Sequence, residues 1–265
     1  MAVYIIGLLR HHLQDKALQR HWCDPRREKL TPLAIEMYNS VSNLPGIVLS
    51  LIGLVNTIHQ RFERRFFILH FTTVVVGIGS MIMQCTLVYK QQQNDEIPMV
   101  WVMLVYIYVL YSPGWNHKVS MPTLLVPYGA IFSVLHNHYQ FVTGFQLHYM
   151  LLALLCAPQI YRYYTVTTNM QARRLAHQYL FCFFSTITCW YFDQILCNRQ
   201  STLPIEPEGH AIFHILNGLN SYFGNMFLQY CRARQLGMSP HIKYIAGMLP
   251  YVKVVSYLTL TKEPG

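Results

Sequence analysis

The sequence predicts an all-α, polytopic membrane protein, a bundle of seven transmembrane helices, and three observations carry that expectation. Of 265 residues, 53% are hydrophobic and only 12% charged, about half the charged fraction of an ordinary soluble chain. Mean hydropathy is +0.24. The apolar residues gather into seven stretches near the ~20 residues that a helix needs to cross a bilayer. The net charge of +9 resides in short segments between those stretches, where cations meet anionic headgroups, so nucleic acid is not the expected partner.

Taken in order, the stretches are 33–58, 66–89, 97–112, 122–137, 140–161, 174–197 and 210–231. Pro32, Pro98 and Pro122 stand near helix starts, where a missing N–H does little harm, whereas Pro45 and Pro127 fall inside spans and predict kinks. One domain, 1–265, is expected: a polar N-terminal segment (1–32), the bundle (33–231) and a basic C-terminal tail (232–265). The first nine residues are apolar but lack a basic leader, and no cleaved signal peptide is read there. With the N-terminus lumenal, twelve of the twenty Lys and Arg fall on the cytosolic side and eight on the other. The loops favour this orientation, and the six cations of the N-terminal segment oppose it. Lys243 and Lys253, set between apolar residues, would keep the tail at the membrane surface.

Polar residues inside apolar stretches carry the functional signal, because a polar group at membrane depth must face a cavity, a partner or a metal. His210 and His214, one turn apart, share a face of the seventh span. Ser80 and Gln84 share a face of the second, Asp95 stands at the mouth of the third, and Asp193 lies in the sixth. Two imidazoles at this spacing can bite one metal ion, and zinc with an open position makes bound water nucleophilic. Taken alone, such a pair is more often interhelical hydrogen bonding than a metal site, and Ser80 more often a packing residue or backbone hydrogen-bonder than a catalyst. His59, His70, His136, His138 and His148 are read as interfacial residues. The aromatic excess is read as interface belt and packing.

Four motifs in order resemble those of the alkaline ceramidase family: Glu36–Asn43, Gly77–Ser80 continuing to Pro98-Met99, Trp190–Cys197, and His210–Leu216. The resemblance covers nearly the whole chain. It implies a seven-helix amidase of the endoplasmic reticulum, Golgi or plasma membrane, the first two foremost, that hydrolyses the N-acyl bond of ceramide to sphingoid base and fatty acid. It also implies zinc on His210 and His214, Ser80 polarising the amide, Asp95 orienting and deprotonating the zinc water, a lumenal disulfide between Cys23 and Cys197, and calcium bound through the N-terminal segment and Glu36.

The chain departs from that pattern twice. Gln84 stands where the family places a third zinc histidine, and a carboxamide is a weaker donor than imidazole. Cys85 is adjacent but about 100° around the helix. At the calcium motif Trp22, Asp24 and Glu36 match, but His21 replaces an Asp, Arg26 replaces an Asn, and the spacing to Glu36 is one residue longer. Arg26 offers charge and no acceptor, which argues against calcium. Three readings stay open: a working ceramidase, a catalytically silent relative that binds sphingolipid, and a seven-helix receptor of the adiponectin and progestin type.

Overall fold

The computed structural model describes residues 32–86, 89–111, 120–139, 142–196 and 209–255. Its helices are α1 (Pro32–Val41), α2 (Leu44–His59), α3 (Arg64–Thr86), α4 (Tyr89–Tyr111), α5 (Ser120–Tyr139), α6 (Val142–Val166), α7 (Met170–Leu196) and α8 (Gly209–Gln235). An antiparallel hairpin follows, β1 (Ser239–Ile245) and β2 (Leu249–Val255), with Ser239 opposite Val255.

The distribution of polarity is inverted relative to a soluble protein. Outward faces carry Leu124, Val134, Leu154, Phe181 and Phe184, all exposed, while His70, His136, Asn225 and Gln229 are buried. So much outward apolar surface suits lipid rather than water. By length and composition two segments among the described residues, Met37–His59 and Arg64–Cys85, suffice to cross a membrane.

Local chemistry sets the breaks. Between α1 and α2 the chain turns at Ser42 and Asn43, whose side chains donate to the Asn39 carbonyl at 2.7 and 3.0 Å. Pro45 then occupies the first turn of α2, where it starts a helix rather than kinking one. Asn169 caps α7, its Oδ1 accepting from the N–H groups of Gln171 and Ala172 at 2.9 and 3.1 Å. The third span begins earlier than its hydropathy predicts. α4 starts at Tyr89, so Pro98 lies inside the helix. The polar run before Pro98 has no apolar periodicity to reveal it.

Packing is closest between α7 and α8 and between α3 and α4, and α2 lies against both α3 and α8. A Cβ on Gly218 would stand 2.5 Å from the Gly46 Cα, so the α2 and α8 backbones touch and only glycine fits. The other flank is looser. α6 and α7 are joined by a three-residue turn, yet beyond it their backbones scarcely meet. At the basic end, Glu63 bridges two helices: it pairs with Arg65 of α3 and accepts from Arg232 Nη2 of α8 at 2.7 Å.

The C-terminal segment is not simply a basic tail. α8 runs to Gln235, and the chain then folds back as the hairpin, turning at Gly247 with φ +74°, a conformation glycine adopts without strain. Ile242 and Val252 are buried against Tyr222, Met226 and Phe227. Lys243 and Lys253 face outward, and the Tyr222 hydroxyl donates to the Pro250 carbonyl at 2.8 Å.

Candidate functional site

Three helix faces converge on one cavity of about 100 Å³, room for about three water molecules at liquid density. Leu69, Thr73 and Val76 of α3 line it, with Met99 and Tyr106 of α4, and Asn217, Ser221 and Asn225 of α8; Tyr149 of α6 and Tyr179 of α7 close it. Each of the first three faces continues, at helical spacing, into residues singled out in the sequence. On α3 the row runs on to Ser80 and Gln84. On α4 it runs back from Met99 to Asp95, and on α8 from Asn217 to His214 and His210. α3 ends where α4 and α8 begin, so the polar ends of the rows share one end of the bundle.

At that end the structure brings Gln84, His210 and His214 together. The Gln84 carboxamide nitrogen lies 2.7 Å from His210 Nε2 and 3.4 Å from His214 Nε2. The two rings stand edge to face, centroids 4.6 Å apart at 88°. Gln84 and His214 are buried. Ser80, one turn below Gln84, is 3% exposed, and its Oγ has no hydrogen-bond partner among the described residues. A buried hydroxyl left unpaired is costly, and a water or a ligand polar group would relieve it. Asp95 is partly buried and lies within electrostatic reach of Glu96 and Tyr149. Cys85 turns away from the imidazoles, its thiol donating to Ser40 Oγ of α1 at 3.1 Å.

These groups do not fit a zinc centre. Among the described residues no cluster of three or more His, Cys, Asp or Glu side chains is placed to hold a metal ion. The third group at the imidazoles is a neutral amide, whereas zinc sites are built from His, Cys and carboxylates. The 2.7 Å separation of Gln84 from His210 is that of a hydrogen bond. The 3.4 Å separation from His214 is close to the ~3.3 Å between two atoms on one tetrahedral zinc, so the misfit rests on the donor chemistry of the carboxamide.

Trp22, Cys23, Asp24 and Cys197 lie outside the described residues. Glu36 lies on α1 and Asp193 on α7.

Two histidines read from sequence as interfacial are buried instead. His136, 1% exposed, donates from Nε2 to Glu96 Oε2 at 2.6 Å, tying α5 to the start of α4. His70 sits at the centre of a second polar cluster. Thr57 Oγ1 donates to the Gly53 carbonyl at 2.8 Å and accepts from Gln229 Nε2 at 2.6 Å. Gln229 also lies 3.3 Å from His70 Nε2, and the Asn225 carboxamide is 3.4 Å from Nδ1. Because Thr57 has already used its proton, Gln229 must donate to it and to His70 Nε2. The ring N–H of a neutral imidazole is then at Nδ1, and Asn225 accepts it with its carboxamide turned so that Oδ1 replaces Nδ2 at that nitrogen. The sequence signal for this cluster was a polar row along α8, recurring every three or four residues from His210 to Gln229.

Comparison with known proteins gives one consistent answer. A family model described as Ceramidase matches residues 19–253. The chain is 48% identical over 219 residues to a protein of Arabidopsis thaliana named alkaline ceramidase, covering 83% of this chain and 86% of that one. It is 28% identical to alkaline ceramidase 3 of Mus musculus, over 87% and 90% of the two chains. An alkaline ceramidase of Saccharomyces cerevisiae is 25% identical over 84% and 79%.

Proposed function

The chain belongs to the ceramidase family, and from that premise we propose that it takes ceramide from the bilayer and holds the N-acyl amide at the Ser80 end of its cavity. α2 to α8 are the seven membrane-crossing helices. The arginine-rich end, with Arg65 and Arg232, faces the cytosol, and the chain resides in an endoplasmic reticulum or Golgi membrane.

One observation carries this reading: three helix rows line a common cavity and end in polar groups, one of them a buried hydroxyl with no partner among the described residues. An amide supplies what such an end lacks. The Ser80 hydroxyl donates to the amide carbonyl, and Asp95 accepts from a hydroxyl of the sphingoid head. Tyr106, Tyr149 and Tyr179 flank the space below. Hydrolysis of the N-acyl bond is the reaction that the relatives' names specify, and the residues here supply its substrate-holding part. At about 100 Å³ the cavity accommodates the polar head, so the acyl and sphingoid chains need the helices to part.

A photoactivatable ceramide tests the proposal on the full chain in lipid nanodiscs. Labelling should map to α3, α4 and α8 and be displaced by unlabelled ceramide but not by phosphatidylcholine. Absence of displaceable labelling refutes it.

A further inference from the structure

We infer that Gln84 makes this a hydrogen-bonding centre in place of a metal centre: its carboxamide ties His210 and His214 together, and the chain binds ceramide without hydrolysing it. The inference rests on the ceramide reading above.

The geometry gives the clamp its form. Both imidazoles turn the same atom, Nε2, toward one carboxamide at 2.7 and 3.4 Å. A carboxamide serves two such nitrogens in either of their states. Its NH₂ donates to two bare nitrogens, or, turned over, its oxygen accepts from two N–H groups. The ring nitrogens that would face a metal are thereby engaged by a side chain of the protein itself.

The chemistry points the same way. A divalent cation leaving water for an apolar interior needs strong, preferably anionic ligands. Beside the two imidazoles the third group is a carboxamide, a weaker donor than the imidazole of the family pattern, and the adjacent thiol of Cys85 is committed to Ser40 at 3.1 Å. Without a Lewis acid to generate a nucleophilic water, amide hydrolysis loses its principal driving element. The groups that hold substrate are unaffected by this change: Ser80 Oγ stays buried and open to a ligand, and Asp95 stays on the cavity row. Gln84 therefore separates recognition from turnover within one site.

Metal content decides the matter independently of activity. The full-length protein, Gln84→His and Gln84→Glu are purified in detergent, loaded with zinc, dialysed against a zinc buffer and assayed by mass spectrometry. Glu matches Gln in shape and adds an anionic ligand, which guards against a variant that fails for reasons of size. Both variants should hold at least ~10-fold more zinc than the parent protein, the scale on which loss of even a supporting group lowers metal affinity. With cobalt, visible d–d absorption should appear in the variants and not in the parent. The parent protein should take displaceable ceramide label and release no fatty acid. Stoichiometric zinc in the parent, chelator-sensitive fatty-acid release by it, or no gain in either variant overturns the inference and leaves ceramide binding standing. A zinc-poor parent that takes no ceramide label overturns the binding proposal instead.

Discussion

Around His70, each buried polar side chain has a partner: Thr57 bonds Gly53 and Gln229, Gln229 reaches Asn56, Thr57 and the ring, and Asn225 faces the other ring nitrogen. Around His210 and His214, at the opposite end of α8, the imidazoles share one carboxamide, and Ser80 Oγ one turn below has no partner among the described residues. Both clusters join α8 to α3, and both bury histidine. The difference is saturation. A network whose donors and acceptors are largely used fixes helices relative to one another and offers a ligand little beyond Asn225, which also borders the cavity. A network with a buried vacancy in its hydrogen bonding carries that cost in the free protein and recovers it on binding.

Substitutions can break or sharpen this contrast. The largest effect belongs to Gly218→Ala, which lies between the clusters. Its Cβ would stand 2.5 Å from the Gly46 Cα, and backbone cannot move aside as a side chain does. Forcing α8 from α2 should cost on the order of 3 kcal/mol and disturb both clusters, read as a lower unfolding midpoint in detergent together with loss of ceramide labelling. An unchanged midpoint means the helices do not meet there.

Next comes Gly53→Ala, whose Cβ would fall 2.3 Å from His70 Cε1. The ring must leave, stranding Gln229 and Asn225, at a cost of about 2 kcal/mol. Stability should fall while ceramide labelling survives; loss of labelling without loss of stability would reverse the assignment of roles. Smallest in stability is Ser80→Ala, expected within about 0.5 kcal/mol because no described bond is lost. Its effect should appear in ceramide labelling, reduced several-fold. A midpoint drop like that of Gly53→Ala would make Ser80 a structural residue.

Much of the architecture was legible because hydropathy reports burial in lipid directly. The stretch 210–231 anticipates α8 to within a few residues at either end. The start of α4 was not legible, since the polar run from Tyr89 to Glu96 forms helix without an apolar face. The C-terminal hairpin was obscured by its lysines. Yet the alternation of Pro240 and Ile242 with Lys243, and of Pro250 and Val252 with Lys253, is a two-residue period around a glycine turn, and it foretells the strands. At the candidate site, spacing alone put His210 with His214 and Ser80 with Gln84 on shared faces. It could not tell which helices meet, so that Gln84 touches both imidazoles, and that His70 and His136 are interior, required tertiary contacts. His70 lies seven residues into α3, where hydropathy distinguishes depth in the membrane but not the side facing a neighbour.

The bare backbone contact of Gly46 with Gly218 also dictates how the interior can be reached. With no side chain between them to swing or compress, α2 and α8 travel as a single rigid post. Any breathing that admits a two-tailed lipid therefore belongs to the opposite wall, where α6 and α7 diverge past their short turn. On the ceramide reading proposed above, the guest would enter sideways from the hydrocarbon layer without passing through water.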